Sequence, residues 1–265
     1  MTNIVVLIKQ VPDYGDRRLS DGDFTLDREG SDAVLDEINE KAVEEALQIK
    51  EREEAAGGSG TVTVLTAGPE KAGEAIRKAL SMGADKGIHL LDPGLHGSDM
   101  VQTGWALARA LGQVEGADLV IAGNAASDGT GGAIPAIIAE YLNLPQLTHM
   151  RSISIEGGQI SGERETDDGV FTVEANLPAV VSVHEKINEP RFPSFKGIMA
   201  AKKKEVQTLT LADIGVESDE VGLATAISRV ASSTPKPPKA AGEKFTDEGD
   251  GGAKIAEYLV AQKIV

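Results

Sequence analysis

Ile4-Val5-Val6-Leu7-Ile8, close to the amino end, is the stretch whose reading decides the fold. It is apolar throughout, rich in β-branched side chains, and shows no polar alternation. Such a run suits a strand covered on both faces, as in a parallel sheet with helices packed above and below. Residues 39–55 follow, with Val43, Ala46 and Leu47 at helical spacing and acidic side chains on the other side, which predicts an amphipathic helix. Gly57-Gly58-Ser59-Gly60 ends it, and Thr61-Val62-Thr63-Val64-Leu65-Thr66-Ala67 reads as a second strand.

Strand and helix go on alternating. Residues 69–82 predict a helix with Pro69 in its first turn, Ala72, Ala75, Ile76, Ala79 and Leu80 along one stripe, and Gly83 as its stop. Residues 87–91 predict a third strand, and Ser98 the cap of a helix carrying Val101, Trp105, Ala108 and Leu111. Residues 118–122 (Asp118-Leu119-Val120-Ile121-Ala122) make a fourth strand, and residues 134–142 a further helix. This order predicts an α/β fold: a mainly parallel, doubly wound, Rossmann-like sheet. The pattern then changes. Residues 151–156 and 159–164 flank Gly157-Gly158, a hairpin signal, and residues 170–176 and 178–183 add two short strands. Together these are expected to extend the sheet antiparallel. The α/β domain is expected over residues 1–231 and an arm over 232–265. Pro235, Pro237, Pro238 and several glycines make residues 232–252 an extended linker, and Ile255, Leu259 and Val260 give residues 253–265 an apolar helical side. So short a helix cannot bury its face alone, so it should dock on another surface.

Composition narrows the chemistry. The 265 residues include no cysteine, which excludes disulfides, iron–sulfur clusters and thiolate metal sites. His89, His96, His149 and His184 are scattered without metal-ligand spacing. The formal net charge of −16 argues against a nucleic-acid partner, because phosphate backbones demand clustered Lys and Arg. The one basic run, Lys202-Lys203-Lys204, reads as solvated surface. No apolar run is long enough to span a bilayer, and the amino end enters a strand without a basic, signal-like region, so a soluble cytoplasmic protein is expected.

No nucleophile elbow, HExxH or Walker A sequence is present, and Gln10-Val11-Pro12-Asp13-Tyr14 stands where a GxGxxG fingerprint would follow the first strand. No catalytic residue is therefore assigned. The strongest nucleotide signal follows the fourth strand: Gly123, Asn124, Ala125, Ala126, Ser127, Asp128, Gly129, Thr130, Gly131, Gly132, Ala133 and Ile134. Small residues let a backbone approach a phosphate, and the helix start behind them offers free N–H groups. The same segment reads equally well as a surface loop. Asn188-Glu189-Pro190-Arg191-Phe192-Pro193-Ser194-Phe195 is a second conspicuous segment. Its aromatics are either interface anchors on a proline-stiffened loop or pins that hold the loop to the core.

Several stretches together carry a family resemblance. Arg164-Glu165-Thr166-Asp167-Asp168-Gly169 with Glu174 and Leu177-Pro178-Ala179-Val180-Val181 resembles the signature of electron-transfer flavoprotein β subunits. Asn188-Glu189-Pro190-Arg191, Ile198-Met199-Ala200-Ala201-Lys202-Lys203-Lys204, Lys9-Gln10-Val11-Pro12-Asp13, Ala42-Val43-Glu44-Glu45-Ala46 and Ala79-Leu80-Ser81-Met82-Gly83-Ala84-Asp85 are similar to the family in order and spacing. The resemblance covers residues 1–215 well and the tail in character.

The resemblance implies an electron carrier without catalytic residues of its own. It would pair with a larger α subunit that holds most of an FAD, and would carry electrons from acyl-CoA dehydrogenases to a membrane quinone oxidoreductase. The β chain would hold a structural AMP at Leu7, Asp36, Glu37, Ile38, Asn39, Ala67 and the 123–134 segment. Ala125 and Thr130 depart from the family, which often has Gln and Asp there, so the backbone contacts are the ones expected to persist. Tyr14 and Ile38 would lie near the flavin, Phe195 and Arg191 on the loop that docks dehydrogenases, and Glu165 against the mobile flavin domain. The arm would embrace the α subunit. Two rivals share the layout: a bifurcating relative with a second FAD and an NADH site, and a free-standing ATP-binding module.

Overall fold

A computed structural model describes every residue except Met1, Asp16, Pro235, Lys239, Ala240, Ala241, Glu243 and Phe245. The chain divides into two units, Met1–Ala231 and Ser232–Val265. In chain order the first contains β1 (Thr2–Leu7), β2 (Gln10–Pro12), β3 (Ala33–Leu35), α1 (Glu37–Ala55), β4 (Gly60–Ala67), α2 (Gly73–Met82), β5 (Lys86–Leu90) and α3 (Met100–Leu111). It continues with β6 (Leu119–Gly123), α4 (Ile134–Leu142), β7 (Gln146–Glu156), β8 (Gln159–Thr166), β9 (Gly169–Asn176), β10 (Ala179–Val183), α5 (Phe195–Ala201) and β11 (Val206–Leu209). The second unit contains α6 (Gly251–Ala261). Pro235, expected in the linker, lies outside the described residues.

Nine strands form one sheet in the order β11-β5-β4-β1-β6-β10-β7-β8-β9, and β2 and β3 form a separate antiparallel ribbon. The α/β reading of the sequence holds, and the reason lies in the apolar runs. Ile4, Val6 and Ile8 pack among Val43, Ala46, Leu47, Ile76 and Leu80 on one face of the sheet. Val5 and Leu7 pack among Ala106, Leu107, Ala110 and Ile138 on the other. Leu119 and Ile121 divide from Val120 and Ala122 in the same way. A strand with helices on both sides leaves no face for polar residues. Each such fully buried aliphatic side chain is worth about 1.5–3 kcal/mol over exposure.

The structure corrects the sequence reading in several places. β10 is no part of the antiparallel extension. It inserts between β6 and β7 and runs parallel to both. Ala179, Val180, Val181 and Val183 are fully buried, as a central strand requires. β7 is long because it does two jobs: its start pairs parallel with β10 and its remainder antiparallel with β8. The short strands β2, β3 and β11 lack a periodic signal. Asp99, not Ser98, caps α3, in a capping box with Gln102. Residues from Phe195 onward form helix α5, capped by the Ser194 hydroxyl. Lys204 is no solvated side chain: its Nζ donates to the carbonyls of Leu80 (3.1 Å), Gly83 (3.3 Å) and Ala84 (2.5 Å) at the end of α2. Among the described residues no helix is long and apolar enough to cross a membrane.

Candidate functional site

From β1 the chain proceeds through β4 and β5 on one side, then returns through β6 to the other. Connectivity therefore reverses between β1 and β6. A crevice opens outside the carboxyl ends of strands at such a switch point. Leu7, Ala67 and Gly123 close β1, β4 and β6 at that edge. Gly123 is needed there for close approach: a Cβ would stand 2.6 Å from Ile38 Cγ2 and 2.9 Å from Asn39 Nδ2. The missing side chain lets the end of β6 lie against the first turn of α1, which carries Glu37, Ile38 and Asn39.

Asn39 and Asp36 bind the crevice together. The Asn39 Oδ1 accepts the Lys9 amide (2.8 Å), and the Asp36 amide donates to the Lys9 carbonyl (3.1 Å). The buried Asp36 carboxylate accepts the Ser127 amide (2.8 Å), tying the loop after β6 to the start of α1. Burial raises the Asp36 carboxyl above its ordinary range, against the pull of the Ser127 amide. Asp128, whose side chain is 2% exposed, accepts from Lys9 Nζ (2.6 Å) and Arg28 Nη2 (3.4 Å). Burial opposes its charge, but Lys9 and Arg28 outweigh burial and hold its carboxyl low. Burial in turn lowers the Lys9 ammonium.

The loop amides fall into two groups. Asn124 donates to the Val183 carbonyl (3.0 Å), Ala125 to its neighbour's Oδ1 (2.8 Å), Gly129 to the Asp128 carboxylate (2.7 Å) and Thr130 to the Ala126 carbonyl (2.8 Å). Those of Gly131, Gly132, Ala133 and Ile134 have no acceptor among the described residues. They lead into α4, whose first residue is Ile134 and whose N-cap is Ala133, where the helix dipole favours an anion. Thr130 holds φ at +48°, an outlier for a β-branched residue and a mark of a loop whose shape is imposed by its surroundings. These free amides form a donor set suited to phosphate oxygens, whereas Lys9 and Arg28 are engaged by the Asp128 carboxylate. Lys9 stands two positions past the end of β1 and entered the sequence reading only within the family-like run Lys9-Gln10-Val11-Pro12-Asp13. Arg28 sits in irregular chain between β2 and β3 and carries no sequence signal.

The other expected residues lie elsewhere. Tyr14, just past β2, is 92% exposed, with the Arg17 guanidinium 5.7 Å from its ring centre. Ile38 is buried against Gly123. Glu165, near the end of β8, accepts from Lys186 Nζ (3.1 Å) and Arg151 Nη1 (3.1 Å), which hold its carboxyl below the usual range. Phe192 and Phe195 are 96% and 81% exposed, so neither pins its loop to the core. Arg191, expected on the docking side, is turned inward onto α1: Nε reaches Glu44 at 2.7 Å and Nη2 at 3.0 Å, and Glu51 is also in reach. Glu44 entered the sequence reading only within the family-like run at 42–46 and Glu51 not at all, because they resemble any acidic pair on an amphipathic helix.

Fold and crevice define a class first: a doubly wound α/β chain with an anion-suited loop at its switch point and no dehydrogenase fingerprint. The comparisons are more specific. The family model for the electron transfer flavoprotein domain matches residues 23–214. The electron transfer flavoprotein subunit beta of Mycobacterium tuberculosis is 77% identical over 266 residues, 100% of each chain. That of Thermoanaerobacterium thermosaccharolyticum is 40% identical over 246 residues, 92% of each. The caffeyl-CoA reductase–Etf complex subunit CarD of Acetobacterium woodii is 34% identical over 260 residues, covering 98% of this chain and 97% of its own. The chain belongs to the electron transfer flavoprotein family, among its β subunits.

Proposed function

We propose that the chain is half of a cytoplasmic heterodimer. It pairs with an electron transfer flavoprotein α subunit, receives electrons from acyl-CoA dehydrogenases in fatty-acid β-oxidation and passes them to a membrane quinone oxidoreductase. The observation that carries this reading is the full-length 77% identity to a curated β subunit. The crevice is read as the seat of a structural AMP. The amides of Gly131, Gly132, Ala133 and Ile134 would receive its phosphate, and Leu7, Asp36, Asn39 and Ala67 would line the rest. FAD, when bound between the chains, supplies the redox chemistry. The part of this chain is to enclose it, with Tyr14 on the flavin side and residues 232–265 as an arm around the α subunit. Phe195 anchors the dehydrogenase, and Glu165 biases the position of the flavin domain.

An acyl-CoA dehydrogenase with its substrate should bleach the flavin of the purified heterodimer, and NADH alone should not. Bleaching by NADH alone would favour the second reading, a bifurcating carrier with a second FAD. Deleting residues 233–265 should leave the first unit folded and weaken assembly with the α subunit tenfold or more. Unchanged assembly would contradict the arm.

A further inference from the structure

The segment that carries Phe192 and Phe195 is fastened at both ends. On the α1 side, Asn188 and Lys41 bond reciprocally: Lys41 Nζ donates to the Asn188 carbonyl (2.5 Å), and Asn188 Nδ2 donates to the Lys41 carbonyl (3.0 Å) and to Glu45 (3.1 Å). Arg191 adds its backbone amide (3.1 Å) and its guanidinium to Glu44, which is 5% exposed, and reaches Glu51 one turn pair further on. On the α2 side, the first turn of α5 lies backbone to backbone on the last turn of α2. A Cβ on Gly197 would stand 2.3 Å from the Ser81 carbonyl oxygen. Arg77 Nη1 donates to the Ala201 (2.8 Å) and Lys204 (3.1 Å) carbonyls, and Lys204 returns the contact to the end of α2. Between the two fastenings, the aromatic side chains project into solvent.

Solvent-exposed ion pairs contribute little. Glu44 differs because it is buried and meets a planar fork, the geometry in which an Arg–carboxylate pair fixes orientation as well as distance. A rigid loop presents an apolar anchor without the entropy cost of ordering it at the moment of contact.

We propose that Arg191 is a positioning residue, which with Glu44 clamps residues 188–195 to α1 while Gly197 and Lys204 seat α5 on α2, so that Phe195 is held ready for an apolar pocket on a partner protein. The proposal rests on the docking reading of Phe195. Arg191 then acts through Phe195 and touches no partner itself.

The test uses the complete heterodimer carrying Glu44→Gln/Arg191→Gln, which removes the clamp without leaving a buried charge unpaired. Hydrogen exchange of the amides at 189–197 should speed up at least tenfold, while exchange in α3 stays unchanged. With an acyl-CoA dehydrogenase as probe, the apparent KM for the carrier should rise about tenfold at constant kcat. Arg191→Lys, which keeps the charge but loses the fork, should lie between. Adding Phe195→Ala to the clamp variant should raise KM no further than Phe195→Ala alone. Unchanged exchange at 189–197, or a combined effect equal to the product of the two, would overturn the proposal. If Phe195→Ala alone leaves KM unchanged, the docking reading has failed, and the exchange rates then decide the clamp separately.

Discussion

The crevice between β1 and β6 and the segment at residues 188–195 are built on opposite plans. The crevice presents backbone: small residues after β6 and amides leading into α4, with Asp36 holding that loop, and Asn39 the chain just past β1, against α1. The segment at 188–195 is made of side chains, with two exposed aromatics held out by an arginine turned inward. A site of the first kind should fail when bulk is added. One of the second kind should fail when a side chain is removed.

Gly123→Val tests the first plan and should have the largest effect. Bulk placed against Ile38 and Asn39 overpacks the crevice, at a cost of about 1–3 kcal/mol. For a domain of this size that lowers the thermal midpoint by roughly 2–4 °C per kcal/mol. Bound nucleotide should be lost as well. Gly129→Ala is the control, since its Cβ meets nothing within 4 Å and the fold should not notice it. If Gly123→Val melts and binds nucleotide normally, the close approach has no consequence and the comparison breaks.

Phe195→Ala should have the converse profile. Burying a phenylalanine in a partner pocket contributes about 1.5–3 kcal/mol, which is a tenfold or larger rise in the apparent KM for the carrier. The melting temperature should not move, because the side chain is 81% exposed. A drop in melting temperature without a KM change would return the residue to a structural role.

The buried carboxylates do not all answer pH with the same sign, and the crevice holds one of each kind. Burial opposes ionisation of Glu44, but Arg191 outweighs it and leaves the folded-state carboxyl below its unfolded value. Its contribution is therefore complete above about pH 4.3 and lost as pH falls through the folded pKa. Asp36 is raised by burial, so its contribution is present below about pH 3.9 and lost as pH rises through the folded pKa. Asp128, held low by Lys9, follows Glu44. Hydrogen exchange corrected for its intrinsic pH dependence should show residues 189–197 loosening below about pH 4. The Glu44→Gln/Arg191→Gln variant should lose that dependence. If wild type and variant share one pH profile, the pair does not hold the loop.

Glu165→Gln should have the smallest effect. The residue lies at the surface between Arg151 and Lys186, so the fold should be indifferent to it. A change in turnover of a few-fold at constant KM would support its role toward the flavin domain, and a KM change alone would contradict it.

What the sequence revealed follows the same division. The apolar runs at 4–8 and 119–122 announced strands with two covered faces, and the small residues after the second fitted either a loop that a phosphate can approach or a plain surface loop. β10 was misplaced because Val180, Val181 and Val183 mark a buried strand but say nothing of its neighbours. The inward turn of Arg191 was not legible, because its partner Glu44 lies 147 positions away on a helix full of acidic residues. Lys204 was misread for the same reason: a run of lysines gives no hint that one of them caps a distant helix. Local pattern encodes periodicity and backbone permissiveness, while pairings between distant side chains appear only once the chain is folded.

The central claim is that the crevice of this β chain holds a nucleotide that takes no part in the chemistry. It is tested most directly by denaturing the purified heterodimer, removing the protein and chromatographing the released nucleotides. The account predicts one FAD and one AMP per heterodimer; two FAD and no AMP would contradict it.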